Sequence, residues 1–277
     1  MGGGLDIRIR ISGRSFVVMQ LLLVTVTLAV CSVVSSLATM SGHKGLLGFG
    51  RLFDVGSEFS IATFISTLNL LLAAILLYLL YRSRRDVGSE DYRCWQLLSL
   101  LFFGLAMDES ISIHENFSRV YQFLVQRGWF PPIMDSHEWL PFGVLFVIVA
   151  AAVFLPQLRK VNLQTAKLMV LAGAVFVTGA VGFEYLGAMM LKTEFVASKS
   201  EPIYVARRLF EEGFEMYGIA LFNWAIYREM LRAPAEVVIR GLDAYVPPWT
   251  ADKAQAPGLA IDDLLMTPGR PRRTPSP

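Results

Sequence analysis

The sequence predicts an all-α protein, a polytopic bundle of membrane-spanning helices. Of its 277 residues, 54% are hydrophobic and only 17% are charged, whereas about 25% are charged in a typical soluble domain. The mean hydropathy is +0.50. Apolar stretches of roughly 20 residues, the length that crosses a hydrocarbon core of about 30 Å, recur along the chain. The lipid bilayer is therefore the first expected partner.

Six transmembrane helices are predicted from these stretches. Their approximate bounds are 16–40, 60–82, 95–115, 140–158, 166–191 and 205–228. The first follows three arginines, but it exceeds the about 7 to 15 apolar residues of a secretory signal and is predicted to be a retained anchor. After the third span, apolar residues at helical spacing predict a helix on the outer membrane surface near 117–130.

Lysine and arginine are concentrated in every second loop, which sets the predicted orientation. The richer segments carry Arg8, Arg10 and Arg14; Arg82, Arg84, Arg85 and Arg93; Arg159 and Lys160; and Arg228 and Arg232. Both termini are therefore predicted to be cytoplasmic. The expected organisation is a cytoplasmic segment at 1–15, a transmembrane domain at 16–233 and a Pro-rich tail at 234–277. This tail lacks a sustained apolar period, which predicts disorder.

Composition also argues against a nucleic-acid partner and against a functional role of the cysteines. The net charge is only +2 and no long basic stretch with interleaved aromatics occurs, so a nucleic-acid partner is not expected. Cys31 and Cys94 form neither a CxxC motif nor a disulfide framework, and both are predicted to be packing residues.

Acidic side chains fall at one predicted depth of the bundle. In "AMDESISIHEN", a rise of 1.5 Å per residue puts Asp108 and Glu109 roughly 20 Å beyond Trp95, in the outer part of the hydrocarbon. The set at this depth is Glu58, Asp108, Glu109, His114, Glu115, Glu184, Arg208, Glu211, Glu212 and Glu215. An uncompensated carboxylate in the bilayer centre costs about 2.5 to 3.5 kcal/mol. We therefore predict one shared site in which protons or a cation balance the acids.

The helical faces agree only partly with a single site. At about 100° per residue, Asp108, Ser112 and Glu115 share one side of the third span, whereas Glu109 and His114 point away from it. Either the helix is distorted at these residues or the site uses side chains from two faces of the helix. His137, in the loop "PPIMDSHEWL", has no special spacing and is predicted to be solvated.

The segment 53–120 resembles a family of bacterial multipass membrane proteins. The resemblance is carried by "FDVGSEFSIATFISTLNLLLAAILLYLLYR" and then by "WQLLSLLFFGLAMDESISIHENF", an acidic helix start followed by an LDE-x4-HE-like motif. It implies a multipass protein of the bacterial inner (cytoplasmic) membrane and implies no activity.

A more remote similarity is to the CREST superfamily of membrane hydrolases, which includes alkaline ceramidases and adiponectin receptors. It is carried by "EFSIATFISTLNLL" together with "MDES", and it puts Glu58, Ser66 and Asp108 in comparable places. In that superfamily three histidines hold zinc. Here Glu211 and Glu215 have an i, i+4 spacing on the last span that would suit a metal instead.

Three hypotheses remain open from the sequence. The first is a metal-dependent membrane hydrolase of a lipid-like substrate, in which a divalent ion activates water. The predicted metal ligands are His114, Glu115, Glu184, Glu211, Glu212 and Glu215. The predicted catalytic side chains are Asp108, Glu109 and, from the CREST resemblance, Ser66. Glu58 and Arg208 are predicted to be further members of the site. The mixed nitrogen and oxygen ligands suit Zn, Fe or Mn. The second is a proton-coupled or cation-coupled carrier. The third is a non-catalytic subunit whose buried polar network specifies assembly with a membrane-protein partner.

Overall fold

Helices make up the fold throughout residues 12–40 and 49–232, which the computed structural model describes. Five helical segments there are long and apolar enough to cross a membrane: Gly13–Ala38, Ile61–Asp86, Tyr92–Ile111, Leu140–Lys160 and Leu163–Lys192. The prediction of an all-α membrane protein is confirmed, with five of the six predicted spans. The predicted tail at 234–277 and most of the predicted segment 1–15 lie outside the described residues.

The helices follow one another along the chain without strands between them in the described part. They are α1 Gly13–Met40, α2 Gly50–Phe53, α3 Ile61–Asp86, α4 Tyr92–Ile111, α5 Ile113–Gln126, α6 Leu140–Phe154, α7 Leu163–Val177, α8 Glu184–Lys192 and α9 Pro202–Arg232. A 3-10 turn, Gln157–Lys160, extends α6, and a π-helical turn, Thr178–Phe183, joins α7 to α8. The helix predicted near 117–130 thus begins earlier, at Ile113.

The sixth predicted span corresponds to α9, which has 31 residues. At 1.5 Å per residue it is about 46 Å long, enough to cross a bilayer. It is less apolar than the other five because charged residues such as Glu211 and Glu215 occupy its first half. Its passage through the membrane and the orientation of the termini stay predictions.

The core of the bundle forms around α9, which contacts α1, α3, α7, the π-helical turn and α8. Fully buried apolar side chains include Leu77 on α3, Trp95 on α4 and Ile226 on α9. By contrast, Leu140 is the one residue of α6 that is buried. The apolar side chains of α6 are therefore expected to face hydrocarbon.

Two glycines allow α9 to pack closely against the segment that precedes α8. A Cβ atom on Gly218 would lie 2.7 Å from the backbone nitrogen of Phe176, and one on Gly179 would lie 2.7 Å from Cγ of Glu215. Real Cβ contacts are never this short, so both positions need a residue without a side chain. This close approach brings the start of α8, and with it Glu184, beside the acidic half of α9.

A paired polar network lies at the opposite end of α9. Glu229, only 4% exposed, accepts hydrogen bonds from Arg84 at 2.5 Å and from Thr165 at 2.8 Å. Arg232 lies 3.5 Å from the same carboxylate, and Arg84 also lies 3.9 Å from Asp91. These five residues, two acids, two arginines and one threonine, are called the paired network below.

Candidate functional site

The junction between α4 and α5 turns on Ser112. This residue has the left-handed backbone conformation, with φ 52° and ψ 51°, and its N–H donates to the carbonyl oxygen of Asp108 at 2.7 Å. A non-glycine residue adopts this conformation at a cost of roughly 1 to 2 kcal/mol. The chain therefore breaks the helix here, one residue after α4 ends and one before α5 begins.

The break brings His114 back to Asp108. The carboxylate of Asp108 accepts the backbone N–H of His114 at 2.7 Å, which satisfies a free donor in the first turn of α5. Its other oxygen lies 3.1 Å from Nδ1 of the His114 ring. An unbroken helix would have pointed these two side chains in different directions. The imidazole is thus oriented by a carboxylate, and its Nε2 atom points away from that contact.

Glu58 and Glu109 lie on the same side of the site. The hydroxyl of Ser112 donates to Glu58 at 2.6 Å, so the residue that breaks the helix also connects to the segment before α3. Ser66 on α3 is 1% exposed and lies near Glu109, which is also subject to the negative charge of Glu58. The start of α3 is fixed by Ser60, whose side chain accepts the N–H of Thr63 at 3.1 Å.

A second group of side chains surrounds Glu184 at the start of α8. Trp139 donates to this carboxylate at 3.4 Å, and Nε2 of His137 lies 3.5 Å from it. Arg207 lies 3.7 Å from Glu184 and 2.8 Å from Glu211. Its guanidinium is almost fully buried, stacks over the ring of Tyr204 and donates to the carbonyl oxygen that ends the π-helical turn.

Glu212 and Glu215 join the two groups. The charge of Glu212 interacts with those of Glu109, Glu58, Arg208 and Glu184. The charge of Glu215 interacts with those of Glu212, Glu109, Glu211 and Glu184. The rings of His114 and Trp139 also meet edge to face, with centroids 4.8 Å apart. We call the whole assembly the acidic cluster. Its members are Glu58, Ser66, Asp108, Glu109, Ser112, His114, His137, Trp139, Glu184, Tyr204, Arg207, Glu211, Glu212 and Glu215.

Negative charge exceeds positive charge in this cluster. It contains seven carboxyl groups, those of Glu58, Asp108, Glu109, Glu184, Glu211, Glu212 and Glu215, but Arg207 is its one arginine. Arg208, which lies nearby, forms its own ion pair with Asp54 at 3.6 Å. Like charges this close in a poorly solvated site cannot all be ionised without compensation. Protons or a bound cation must supply the missing positive charge.

The two histidines of the cluster differ in how readily they take up a proton. Burial opposes protonation of His114, but its hydrogen bond to Asp108 and the negative charge of Asp108 outweigh this and raise its pKa. Burial lowers the pKa of His137, and the negative charge of Glu184 compensates only in part. The pKa values of the two imidazoles are thus shifted in opposite directions, as in sites that separate acid and base roles.

Sequence reasoning missed several members of the cluster and misjudged one. The prediction that His137 is solvated was wrong, because its side chain is 9% exposed and lies beside Glu184. Its backbone, like that of Ser112, has a positive φ, 55°. Trp139, Tyr204 and Arg207 were not predicted either. The signal for Arg207 was its i, i+4 spacing to Glu211 on a helix that was already suspected.

Two predicted site residues lie at the margin of the cluster. Glu115 is exposed in the first turn of α5, although its negative charge still acts on His114. Arg208 packs against Gly56, where a Cβ atom would overlap its guanidinium at 1.8 Å. Arg208 thus holds the segment before α3 against α9 through Asp54.

The predicted divalent metal is not tested by these contacts. No group of three His, Cys, Asp or Glu side chains in residues 12–40 and 49–232 has a geometry suited to a metal ion. The contact of Asp108 with Nδ1 of His114 nevertheless matches the way metal-binding histidines are usually oriented, with the other nitrogen left for the ion.

The family model described as "Domain of unknown function (DUF8692)" matches residues 17–229. The chain belongs to this family. The match includes every residue of the acidic cluster and all five spans except the first four residues of the first. No curated protein and no solved structure matches the chain. The comparisons therefore place the chain in a family of unknown function and give no support to the CREST similarity.

Proposed function

We propose that the acidic cluster is the active site of a metal-dependent membrane hydrolase. The divalent ion, Zn, Fe or Mn, would be held by Nε2 of His114 together with carboxylates of Glu212 and Glu215. A bound ion of this type lowers the pKa of a water molecule and supplies the nucleophile of hydrolysis. It would also compensate the excess of negative charge in the cluster.

The single observation that supports this proposal most strongly is the oriented His114 ring. Asp108 contacts Nδ1 of His114 at 3.1 Å, and the strained left-handed backbone of Ser112 makes that contact possible. Strained non-glycine residues concentrate at functional sites, where the surrounding structure stabilises them. A His–Asp pair of this kind positions the remaining ring nitrogen for a metal or for proton transfer.

Glu109 and Arg207 have roles beside the metal in this proposal. Glu109, near the buried Ser66, would be the base that removes a proton from the nucleophilic water. Arg207 would provide positive charge where the oxygen of a substrate carbonyl becomes negative.

The membrane setting of the proposal includes α9 as a sixth span. It also keeps the predicted orientation, with both termini cytoplasmic and the acidic cluster in the outer half of the bundle. The membrane is then the bacterial inner membrane, and a lipid-like substrate reaches the site from the bilayer.

Elemental analysis of the purified protein tests the metal. Wild type should retain a stoichiometric transition metal after dialysis, whereas His114→Gln and Glu215→Gln should lose it. Glu115→Gln is the matched control, because Glu115 is adjacent to His114 but exposed, and it should retain the metal. Full metal retention in His114→Gln would remove the histidine from the site, and absence of metal from wild type would refute the proposal.

A second candidate, a proton-coupled or cation-coupled carrier, is favoured by one specific observation. The cluster sets seven carboxyl groups against one arginine, and Glu211, Glu212 and Glu215 follow one another along α9 beside Glu184. Such a row could bind and release coupling ions. Uptake by proteoliposomes that depends on a proton gradient, lost in Glu212→Gln and retained in Glu115→Gln, would support the carrier over the hydrolase.

A further inference from the structure

The helix α5 exposes an apolar face and, on its opposite side, a polar face. The apolar face is formed by Ile113, Phe117, Val120 and Leu124, which about 100° per residue places within roughly 60° of one another. The polar face is formed by Glu115, Arg119, Gln122 and Gln126. Ile113, Phe117 and Val120 are 41%, 42% and 43% exposed. A contiguous apolar surface of this kind marks a site of interaction.

The position of α5 along the chain places it at a membrane surface. It begins two residues after Ile111, the end of one candidate span, and the next candidate span begins at Leu140. Its apolar face continues the lipid-facing surface of these spans. Ile111 is 59% exposed, and the ring of Phe117 contacts that of Phe142 on α6, with centroids 5.3 Å apart. The neighbouring surfaces therefore indicate lipid as the partner of this face.

A third side of α5 faces the acidic cluster. His114 and Tyr121 lie on this side, about 90° from the apolar face. The hydroxyl of Tyr121 accepts the N–H groups of Ile133 at 2.8 Å and Met134 at 2.9 Å, in the segment that leads to His137. Because a helix is rigid over these two turns, the rotation of α5 about its axis determines where both side chains point.

The link between α4 and α5 restrains this rotation only at one end. Ser112 is the single residue between the two helices, and its left-handed backbone interrupts their course. This link fixes where α5 begins. A contact along the length of α5 is needed to keep its third side, and with it His114, directed at the cluster.

We propose that the apolar face of α5 inserts into the interface of the phospholipid bilayer, and that this insertion fixes the rotation of α5 that presents His114 to Asp108. An amphipathic helix of this kind buries its apolar face about 5 to 10 Å into the boundary between headgroups and acyl chains. The polar face then meets water. The consequence for metal binding rests on the proposed function, whereas the insertion itself does not.

Spin labels at two nearby positions test the insertion in the full-length protein. Val120 and Gln122 are both exposed but lie on opposite faces. Each is changed to cysteine in a protein in which the buried Cys31 and Cys94 are replaced by alanine. In vesicles of phosphatidylcholine and phosphatidylglycerol, power saturation is measured with oxygen, which concentrates in lipid, and with a nickel chelate, which stays in water. We expect oxygen to relax the label at Val120 severalfold more than nickel does, and the reverse at Gln122.

Two results would overturn the insertion. Strong relaxation of the label at Val120 by the nickel chelate would show that the apolar face lies in water. Protection of this label from both reagents would show that protein, such as a second copy of the chain, covers the face instead of lipid.

A pair of aspartate variants tests whether insertion holds His114 in place. Val120→Asp puts a charge on the apolar face, and Gln122→Asp, the matched control, puts the same charge on the polar face. The ring of His114 is 28% exposed in its contact with Asp108, so its reaction with diethylpyrocarbonate, located by mass spectrometry, measures release from that contact. We expect a severalfold increase in Val120→Asp and the wild-type level in Gln122→Asp. Equal reaction in wild type and both variants would overturn the coupling.

The outcome of these measurements is separable from that of the proposed function, because both are made on chelator-treated protein. Absence of metal from untreated wild type would refute the hydrolase and leave the insertion standing. Where wild type binds metal, Val120→Asp should retain severalfold less of it than Gln122→Asp. Full metal retention in a Val120→Asp protein whose His114 reacts freely would remove the histidine from the metal site without affecting the insertion.

Discussion

Buried charged side chains are compensated differently at the two ends of α9. At one end, the paired network matches Asp91 and Glu229 with Arg84 and Arg232, and Thr165 donates to one of the acids. At the other end, the acidic cluster sets seven carboxyl groups against one arginine. The first arrangement is complete from protein groups alone, whereas the second needs protons or a cation from outside.

This difference indicates which end carries function. A balanced buried network satisfies its own charges and fixes the packing of α3, α4, α7 and α9. An unbalanced one costs stability and persists where ions or protons are bound and released. The strained backbone of Ser112 and His137 also lies at the acidic end. The paired network is accordingly interpreted as structural and the acidic cluster as functional.

Removing an acid from the paired network should have the largest effect on stability. Glu229→Gln leaves Arg84 with only Asp91 at 3.9 Å and weakens the contact with Arg232. We expect a loss of about 3 kcal/mol in unfolding free energy, at the low end for broken buried pairs because Arg84 is partly exposed. Thermal unfolding in detergent measures it. A wild-type melting temperature would show that the network is dispensable.

Displacing Arg207, the one arginine of the acidic cluster, should have the next largest effect on stability. In Gly187→Ala the new methyl group collides with the guanidinium of Arg207 and separates it from Glu184 and Glu211. The expected destabilisation is about 2 kcal/mol, typical of overpacking. Gly104→Ala is the matched control, since a Cβ atom there meets nothing within 4 Å. Equal melting temperatures for the two variants would contradict this prediction.

Removing an acid from the acidic cluster should act in the opposite direction from Glu229→Gln. Glu215 faces four other carboxyl groups, so Glu215→Gln relieves repulsion and should stabilise the metal-free protein by about 1 kcal/mol. Unfolding of the chelator-treated protein is the relevant measurement. If Glu215→Gln lowered the melting temperature as Glu229→Gln does, the distinction between the two ends would be lost.

The smallest effect is expected at the edge of the cluster. Glu115 is exposed, and a surface substitution usually changes stability by no more than about 0.5 kcal/mol. Glu115→Gln should therefore unfold like wild type, with and without chelator. A shift as large as that of Glu215→Gln would place Glu115 within the cluster after all.

Hydropathy and charge in the sequence were sufficient for the fold class and for the approximate place of the site. Apolar length is a local property, so five spans could be located from the chain alone. Counting residues along those spans predicted that Asp108 and Glu184 lie toward one end of the bundle, and the sixth predicted span, α9, added Glu211 to that end.

Only the tertiary structure decided which side chains meet. Helical periodicity predicted that His114 and Asp108 diverge, but the left-handed Ser112 breaks the helix and brings them together. The loop residue His137 has no periodicity, so nothing local could place it beside Glu184. Arg207 reaches that carboxylate only because Gly187 and Gly179 let α8 and α9 approach closely. Sequence fixes how deep a residue lies in a spanning helix, whereas contacts between helices depend on close packing, which a single helix does not determine.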